Sequence, residues 1–294
     1  MKRWADGFIA VDWGTTNRRA YLIENGGRNA AEFEDGKGIL SVRRGEFEGA
    51  IAEIREKLGE RPMLLAGMVG SNRGWVEAPY VPCPAGSDDL ARGLVRIGDD
   101  VAIVPGVSMS DGRSDVMRGE EVQLIGAVAS GKIPNDCLVC HPGTHNKWVR
   151  VIDGRIASFR TVMTGELFSM LKARSILSDL LARRVTSGNA FREGVSRGLA
   201  GAGITSELFE VRARFLLGKL DASDGASMVS GLLIGEDVRV GLGESKLSPV
   251  VVMGRPELTA LYAAALDVAG VESELRDGEG AFIAGACTIV EQIQ

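Results

Sequence analysis

Short apolar runs bounded by polar or glycine-rich turns recur along the chain, and between them apolar residues fall at helical spacing. Residues 8–11 and 20–23 are such runs, on either side of a Gly-Thr-Thr-Asn turn and followed by Asn25-Gly26-Gly27. They predict a strand, a turn and a returning strand. Phe47, Ile51, Ile54 and Leu58, bracketed by Gly45 and Gly59, predict a helix. Buried strands are expected at 63–69 and 101–104, and a helix after Asp115, carried by Val122, Ile125 and Val128 and ended by Gly131. Beyond an Ile133-Pro134-Asn135-Asp136 linker the opening pattern returns, with strands at 138–140 and 148–152 around a second turn and Asp153-Gly154 after them. From about 165 to 245 the pattern is helical. One stripe there runs from Leu167 and Met170 to Leu180 and Leu181, another through Leu208, Val211, Phe215 and Leu216. A strand at 249–253 and helices at 257–269 and 280–293 complete the chain.

The second opening lies over the first at an offset of 129 residues, Gly14 over Gly143. Asp12-Trp13-Gly14-Thr15-Thr16-Asn17-Arg18 then faces His141-Pro142-Gly143-Thr144-His145-Asn146-Lys147, with Gly, Thr and Asn identical and the last position basic in both. Matched hairpins at the head of two halves predict two domains built on one plan. The class is α/β, with mixed sheets flanked by helices and a cleft between the domains. The expected domains are 1–133 and 134–294, the second carrying the helical insertion.

Composition narrows the functional classes. Glycine is abundant, 39 of 294 residues against nine prolines, nearly twice the usual ~7%. That excess predicts tight turns and close backbone approaches. Basic residues number 34 and acidic 39, for a net charge of −5, and no basic block forms a phosphate-backbone footprint, so nucleic acid is not an expected partner. No apolar stretch approaches the ~20 residues of a membrane span, and the start, MKRWADG, turns acidic before a signal-peptide core forms. The four cysteines, Cys83, Cys137, Cys140 and Cys287, read as cytosolic thiols. The expectation is a soluble cytoplasmic protein, with the apolar stripes of the insertion packed inward or forming a homodimer face.

A strand ending in Asp and followed by Gly-Thr-Thr-Asn suits phosphate. Gly14 lets backbone N–H groups approach phosphate oxygens, Thr15, Thr16 and Asn17 add donors, and Asp12 is placed to hold Mg²⁺ through water. Gly143, Thr144, His145, Asn146 and Lys147 offer a second clamp ending in a cation. Either turn alone reads better as a plain hairpin closure; the duplication favours phosphate. Two other patterns fail their context. Residues 126–133 nearly spell a P-loop, but with Ile133 at the final position and at a helix end. Cys137 and Cys140, three apart on a strand, point to opposite faces.

The first turn with Gly143-Thr144 resembles the phosphate motifs of the actin, hexokinase and Hsp70 superfamily of ATPases, which have two ribonuclease H-like domains. Residues 250–253 with Gly254-Arg255 resemble its adenosine motif, and residues 280–286 its second connecting helix. More narrowly, Ala66-Gly67-Met68-Val69-Gly70-Ser71, the following 74–80 segment, Met117-Arg118-Gly119-Glu120-Glu121 and the 141–148 turn resemble the 2-dehydro-3-deoxygalactonokinase family. The resemblance implies ATP and Mg²⁺ as cofactors. The implied reaction moves the γ-phosphoryl group to the terminal, 6-hydroxyl of 2-dehydro-3-deoxy-D-galactonate, in galactonate catabolism. The same donor site would also serve another sugar acid or hydroxy acid, or an actin-like switch. Kinases of the superfamily place a proton-accepting carboxylate at the start of a helix in the first domain. Asp115 is the expected match and Glu120 the reserve. A sugar acid needs a guanidinium or backbone donors for its carboxylate, for which Ser71, Asn72, Arg73 and Trp75, or Arg118, are the candidates. Where relatives carry a second Asp, this chain has His141.

Overall fold

A computed structural model describes residues 4–110, 112–243 and 247–293. Its chain divides into two compact units. One comprises Met1–Asp136, Val151–Ser158 and Gly278–Gln294, the other Cys137–Arg150 and Phe159–Asp277.

The first unit contains β1 (Phe8–Trp13), β2 (Arg18–Glu24), β3 (Arg28–Asp35), α1 (Phe47–Leu58), β4 (Met63–Gly67), β5 (Tyr80–Pro82), α2 (Ser87–Arg92), β6 (Val95–Ile97), β7 (Val101–Ile103), β8 (Gly106–Met109), β9 (Asp115–Met117) and α3 (Glu120–Ala129). Its main sheet has the order β3-β2-β1-β4-β7-β6, and β5-β8-β9 form a smaller one. β1 is antiparallel to β2, Phe8 opposite Ile23 through Trp13 opposite Arg18, and parallel to β4. All of β4 is buried, as expected of a strand covered on both faces, which reads as a continuous apolar run. The predicted helix is α1, whose buried Phe47, Ile51, Ile54 and Leu58 keep the anticipated spacing.

The helix expected to open at Asp115 begins later. Asp115, Val116 and Met117 pair antiparallel with Met109, Ser108 and Val107, so Asp115 lies on β9 and caps no helix. Gly119, at φ 110°, then turns the chain and α3 starts at Glu120. A three-residue strand is too short to show alternation, which is why the helical period runs back over it.

The second unit's elements are β10 (Cys137–His141), β11 (Asn146–Ile152), β12 (Arg155–Val162), α4 (Thr164–Arg174), α5 (Asn189–Ala200), α6 (Ile204–Leu216), α7 (Gly225–Leu242), β13 (Val250–Met253), α8 (Pro256–Val268) and β14 (Ser273–Arg276). β11 and β12 run out into the 151–158 hairpin tip that groups with the first unit. The sheet order β12-β11-β10-β13-β14 repeats that of the first sheet strand for strand as far as β7. β13 is parallel to β10 as β4 is to β1. One plan is thus built twice, and the α/β class with mixed sheets stands.

The helical insertion is held by backbone contact. A Cβ on Gly231 or Gly235 of α7 would lie 2.2 or 2.3 Å from the carbonyl oxygens of Phe191 and Val195 on α5. One on Gly194 or Gly198 of α5 would come equally close to Met228 and Leu232. In the first unit α9 (Glu279–Glu291) crosses α3 in the same manner, Gly126 and Gly285 each leaving under 2 Å for a methyl. α6 buries Val211 but leaves Phe209, Leu216 and Leu217 exposed. Among the described residues no helix is long and apolar enough to cross a membrane.

Gly231→Ala and Gly235→Ala are therefore expected to lower stability by about 1–3 kcal/mol each in urea unfolding. Gly49→Ala on α1, where an added methyl meets nothing within 4 Å, should raise it by about 0.5–1 kcal/mol. Equal effects at the buried and open positions would contradict the crossing.

Candidate active site

The β1–β2 turn is held from behind. The carbonyls of Gly14, Thr15 and Thr16 accept from the N–H groups of Ile39 (3.0 Å), Leu40 (3.2 Å) and Gly38 (3.0 Å), and the Asn17 carbonyl from Gly14 (2.9 Å). That approach requires glycine at 38, since a Cβ there would sit 2.4 Å from Thr15 and Thr16 backbone atoms. Trp13 donates from Nε1 to the Lys37 carbonyl, 2.9 Å, anchoring the same segment. With its carbonyls occupied, the turn keeps the Thr15 and Thr16 N–H groups free of any internal acceptor among the described residues, and both residues are exposed. A succession of spare N–H groups in a tight turn is an anion-binding concavity. Asn17, also exposed, reaches Glu34 at 3.4 Å.

The β10–β11 turn repeats the device. Glu166 N–H donates to the Thr144 carbonyl, 3.0 Å. A Cβ on Gly165 would lie 2.5 Å from the Gly143 carbonyl oxygen. Gly38 and Gly165 each stand three residues past the third strand of their sheet, so the duplication includes the brace. His145 Nε2 lies 2.5 Å from Glu166 Oε2, tying the turn's imidazole to the first helical turn of α4. Lys147 is 5% exposed and its ammonium reaches the His145 carbonyl at 3.5 Å. Its counterpart Arg18 is wholly buried on Asp35, 2.7 Å, and over the Trp13 ring. Asn146 departs from expectation as a phosphate donor. It is fully buried, and its Nδ2 is spent on Asp237 at 3.0 and 3.1 Å. Past β13, Gly254 comes close to the Pro142 carbonyl, and Arg255 is exposed at the head of α8.

Glu120, at the head of α3, acts electrostatically on two buried carboxyls, Asp12 of β1 and its neighbour Glu121. A Cβ on Gly67 would lie 3.5 Å from Asp12 Oδ1, and one on Gly119 would lie 3.3 Å from the Gly67 Cα. Burial pushes Asp12 up to about 6; Arg19 opposes the rise, and Glu120 and Glu34 add to it. Glu121 is wholly buried and accepts from Gly119 N–H at 2.6 Å, while its Oε1 has no partner among the described residues. Burial, with Glu120 beside it, drives its carboxyl up to about 8. Glu120, half-buried at the first position of α3, shares the field of both. Asp115 lies apart on β9, where its Oδ1 accepts from the N–H of Val116, 2.8 Å.

The candidate substrate residues separate. Ser71 Oγ donates to the Met68 carbonyl, 2.7 Å, and accepts from Arg73 N–H, 3.3 Å, which shapes a local turn. Asn72 and Arg73 are exposed on it. Trp75 stacks on Phe47 at 6.2 Å and belongs to the core more than to a pocket wall. Arg118 donates from Nη2 to the Ala78 carbonyl, 2.7 Å, and lies over Tyr80, with Nε and Nη1 enclosed. It anchors its loop, leaving Arg73 as the accessible guanidinium. The structure adds Gly38, Gly165, Glu166 and Asp237. The first two occupy equivalent positions of the repeat, three residues past the third strand of each sheet.

Folded Glu121 holds a proton that the unfolded chain, with an ordinary value of 4.5, has already lost. Wild type therefore loses stability as pH rises from about 5 to 8 by up to about 1.4 kcal/mol per unit. Glu121→Gln removes that loss, so the variant should gain on wild type across this window. A pH-independent difference between the two would contradict the assignment.

A family model described as 2-keto-3-deoxy-galactonokinase matches residues 12–289. A 2-dehydro-3-deoxygalactonokinase of Escherichia coli is 38% identical, covering 97% of this chain and 98% of its own. A Rhizobium meliloti protein with the same description is 37% identical over 95% and 94%. A crystal structure from Sinorhizobium meliloti, provisionally given that name, superposes with a TM-score of 0.91 at 35% identity, over 97% of this chain and 99% of that one. With a match running from the end of β1 into the last helix, the chain belongs to the 2-keto-3-deoxy-galactonokinase family.

Proposed function

We propose that this protein is a cytoplasmic kinase that transfers the γ-phosphoryl group of ATP to the 6-hydroxyl of 2-dehydro-3-deoxy-D-galactonate, giving ADP and 2-dehydro-3-deoxy-6-phosphogalactonate. The supporting observation is the pair of hairpin turns braced from behind, through the Gly14, Thr15 and Thr16 carbonyls in the first and the Thr144 carbonyl in the second, with the Thr15 and Thr16 N–H groups left over among the described residues, in a chain of this family. Phosphoryl transfer asks mainly for positioning and for compensation of charge on the phosphate oxygens. Thr15 and Thr16 in one turn, and Gly143 and Thr144 in the other, supply backbone donors for it. Lys147 and His145 add positive or donor character beside the second turn, and Gly254 and Arg255 border the nucleoside side.

Mg²⁺ takes oxygen ligands, usually keeping several waters and using one or two carboxylates plus phosphate oxygens. Asp12 fits that demand, a carboxylate at the first turn short of compensating positive charge. Among the described residues no group of three or more acidic, histidine or cysteine side chains is gathered to hold a metal. Bound there, the ion would neutralise phosphate charge.

The proton of the attacking hydroxyl passes to Glu120. It is the carboxylate that opens α3, and it stands in the electrostatic neighbourhood of Asp12, whereas Asp115 sits on a separate sheet. Arg73 and Asn72, exposed on the turn set by Ser71, receive the sugar acid's carboxylate.

With ATP, Mg²⁺ and 2-dehydro-3-deoxy-D-galactonate, ADP should appear in step with phosphorylated product; absence of acceptor-dependent ADP would refute the reading. Glu120→Gln should reduce kcat by about 10²- to 10⁴-fold with KM for ATP little changed, and Asp115→Asn should leave kcat near wild type. The reverse pattern would return the base to Asp115.

A further inference from the structure

Asp237, near the C-terminal end of α7, is fully buried, and its carboxylate gathers four side chains from three other elements, β11, α4 and α8. Asn146 donates from Nδ2, Trp148 from Nε1 at 2.7 Å, and the hydroxyls of Thr164 and Tyr262 complete the set. None of these donors is a cation. Burial raises the carboxyl above its ordinary range and the four hydrogen bonds oppose that rise. A buried carboxylate is expensive to desolvate, and an apolar side chain of similar size would commonly serve stability as well.

The identity of the donors gives the group a use. Asn146 is the first residue of β11 and ends the second phosphate turn. Thr164 is the first residue of α4, immediately before Gly165 and Glu166, which back that turn. One carboxylate therefore holds the turn's exit and its brace in register, while the Trp148 and Tyr262 contacts fix the carboxylate itself against β11 and α8. Trp148 is in turn seated on Gly241 of α7, where a Cβ would lie 1.9 Å from the ring.

We propose that Asp237 is a positioning residue for the second phosphate turn, setting nucleotide affinity through Asn146 and Thr164; this rests on reading that turn as a phosphate site. It touches neither ATP nor sugar acid. Its effect is preorganisation: N–H groups already aimed need no ordering when phosphate arrives.

Two near-isosteric variants separate positioning from bulk stability. Thr164→Val removes the hydroxyl beside the brace, and Tyr262→Phe removes an equivalent hydrogen bond to the same carboxylate away from the turn. Titration with a non-hydrolysable ATP analogue should show about 10-fold weaker binding for Thr164→Val, the effect of one hydrogen bond to a charged group. Thr164→Ser should restore affinity. Tyr262→Phe should lose stability to a similar degree but bind within about 2-fold of wild type, and KM for the sugar acid should be unchanged in all three. Thr164→Ala replaces the valine variant if that chain does not fold. Wild-type affinity in Thr164→Val, or equal weakening in both variants in proportion to lost stability, would overturn the proposal. If wild type forms no acceptor-dependent ADP yet the affinities split as stated, the reaction assignment fails and the positioning role stands. Absence of nucleotide binding by wild type overturns both.

Discussion

A peptide turn binds phosphate only if N–H groups remain over once the backbone has bonded to itself, and that constraint organises both halves of this chain. In a free hairpin turn, carbonyls and amides face solvent in comparable numbers, and the carbonyls repel an anion. Here the carbonyls of Gly14, Thr15 and Thr16 are consumed by residues 38–40, and that of Thr144 by Glu166. The segments that consume them come close because residues 38 and 165 have no Cβ. Donor character thus follows from backbone accounting; of the two basic residues beyond the first turn, Arg18 is buried on Asp35 and Arg19 is paired with Glu34.

The same demand for close backbone approach explains where glycine is spent. α5 with α7, and α3 with α9, cross at distances that only hydrogen side chains permit. Glycine in a helix is unfavourable by roughly 0.5–1 kcal/mol relative to alanine, and close van der Waals contact along the crossing offsets it. Buried polar groups follow a related logic. Asp237 and Glu121 are carboxyls placed where apolar residues would be less expensive, one saturated with donors and the other pushed up to about 8 with one oxygen unpartnered among the described residues.

Much of the fold was legible because it is periodic. The strands at 8–11, 20–23 and 250–253, the helix over 47–58 and the duplicated hairpin all carry strong local signals, and the sheets share a strand order. The glycine-threonine turns were legible as well, since they combine residue type with repetition. What escaped has physical reasons. Asp115 precedes an apolar helical stripe, but its three-residue strand, paired back on Met109 six residues earlier, is too short to leave a period. Asn146 matched Asn17 in the repeat, yet one is exposed and the other is bound by Asp237, a residue 91 positions away. Arg118 looked available and is enclosed by Ala78 and Tyr80. For Asn146 and Arg118 a distant partner decides what the side chain does.

Family membership fixes the kind of chemistry, and the proposal assigns phosphate to the two turns. The most direct examination of that account is amide NMR of the protein titrated with a non-hydrolysable ATP analogue and Mg²⁺. Large shifts at the amides of Thr15 and Thr16, together with those of Gly143 and Thr144, are the result it requires. Shifts confined to one turn, or absent from both while the nucleotide binds elsewhere, would contradict it.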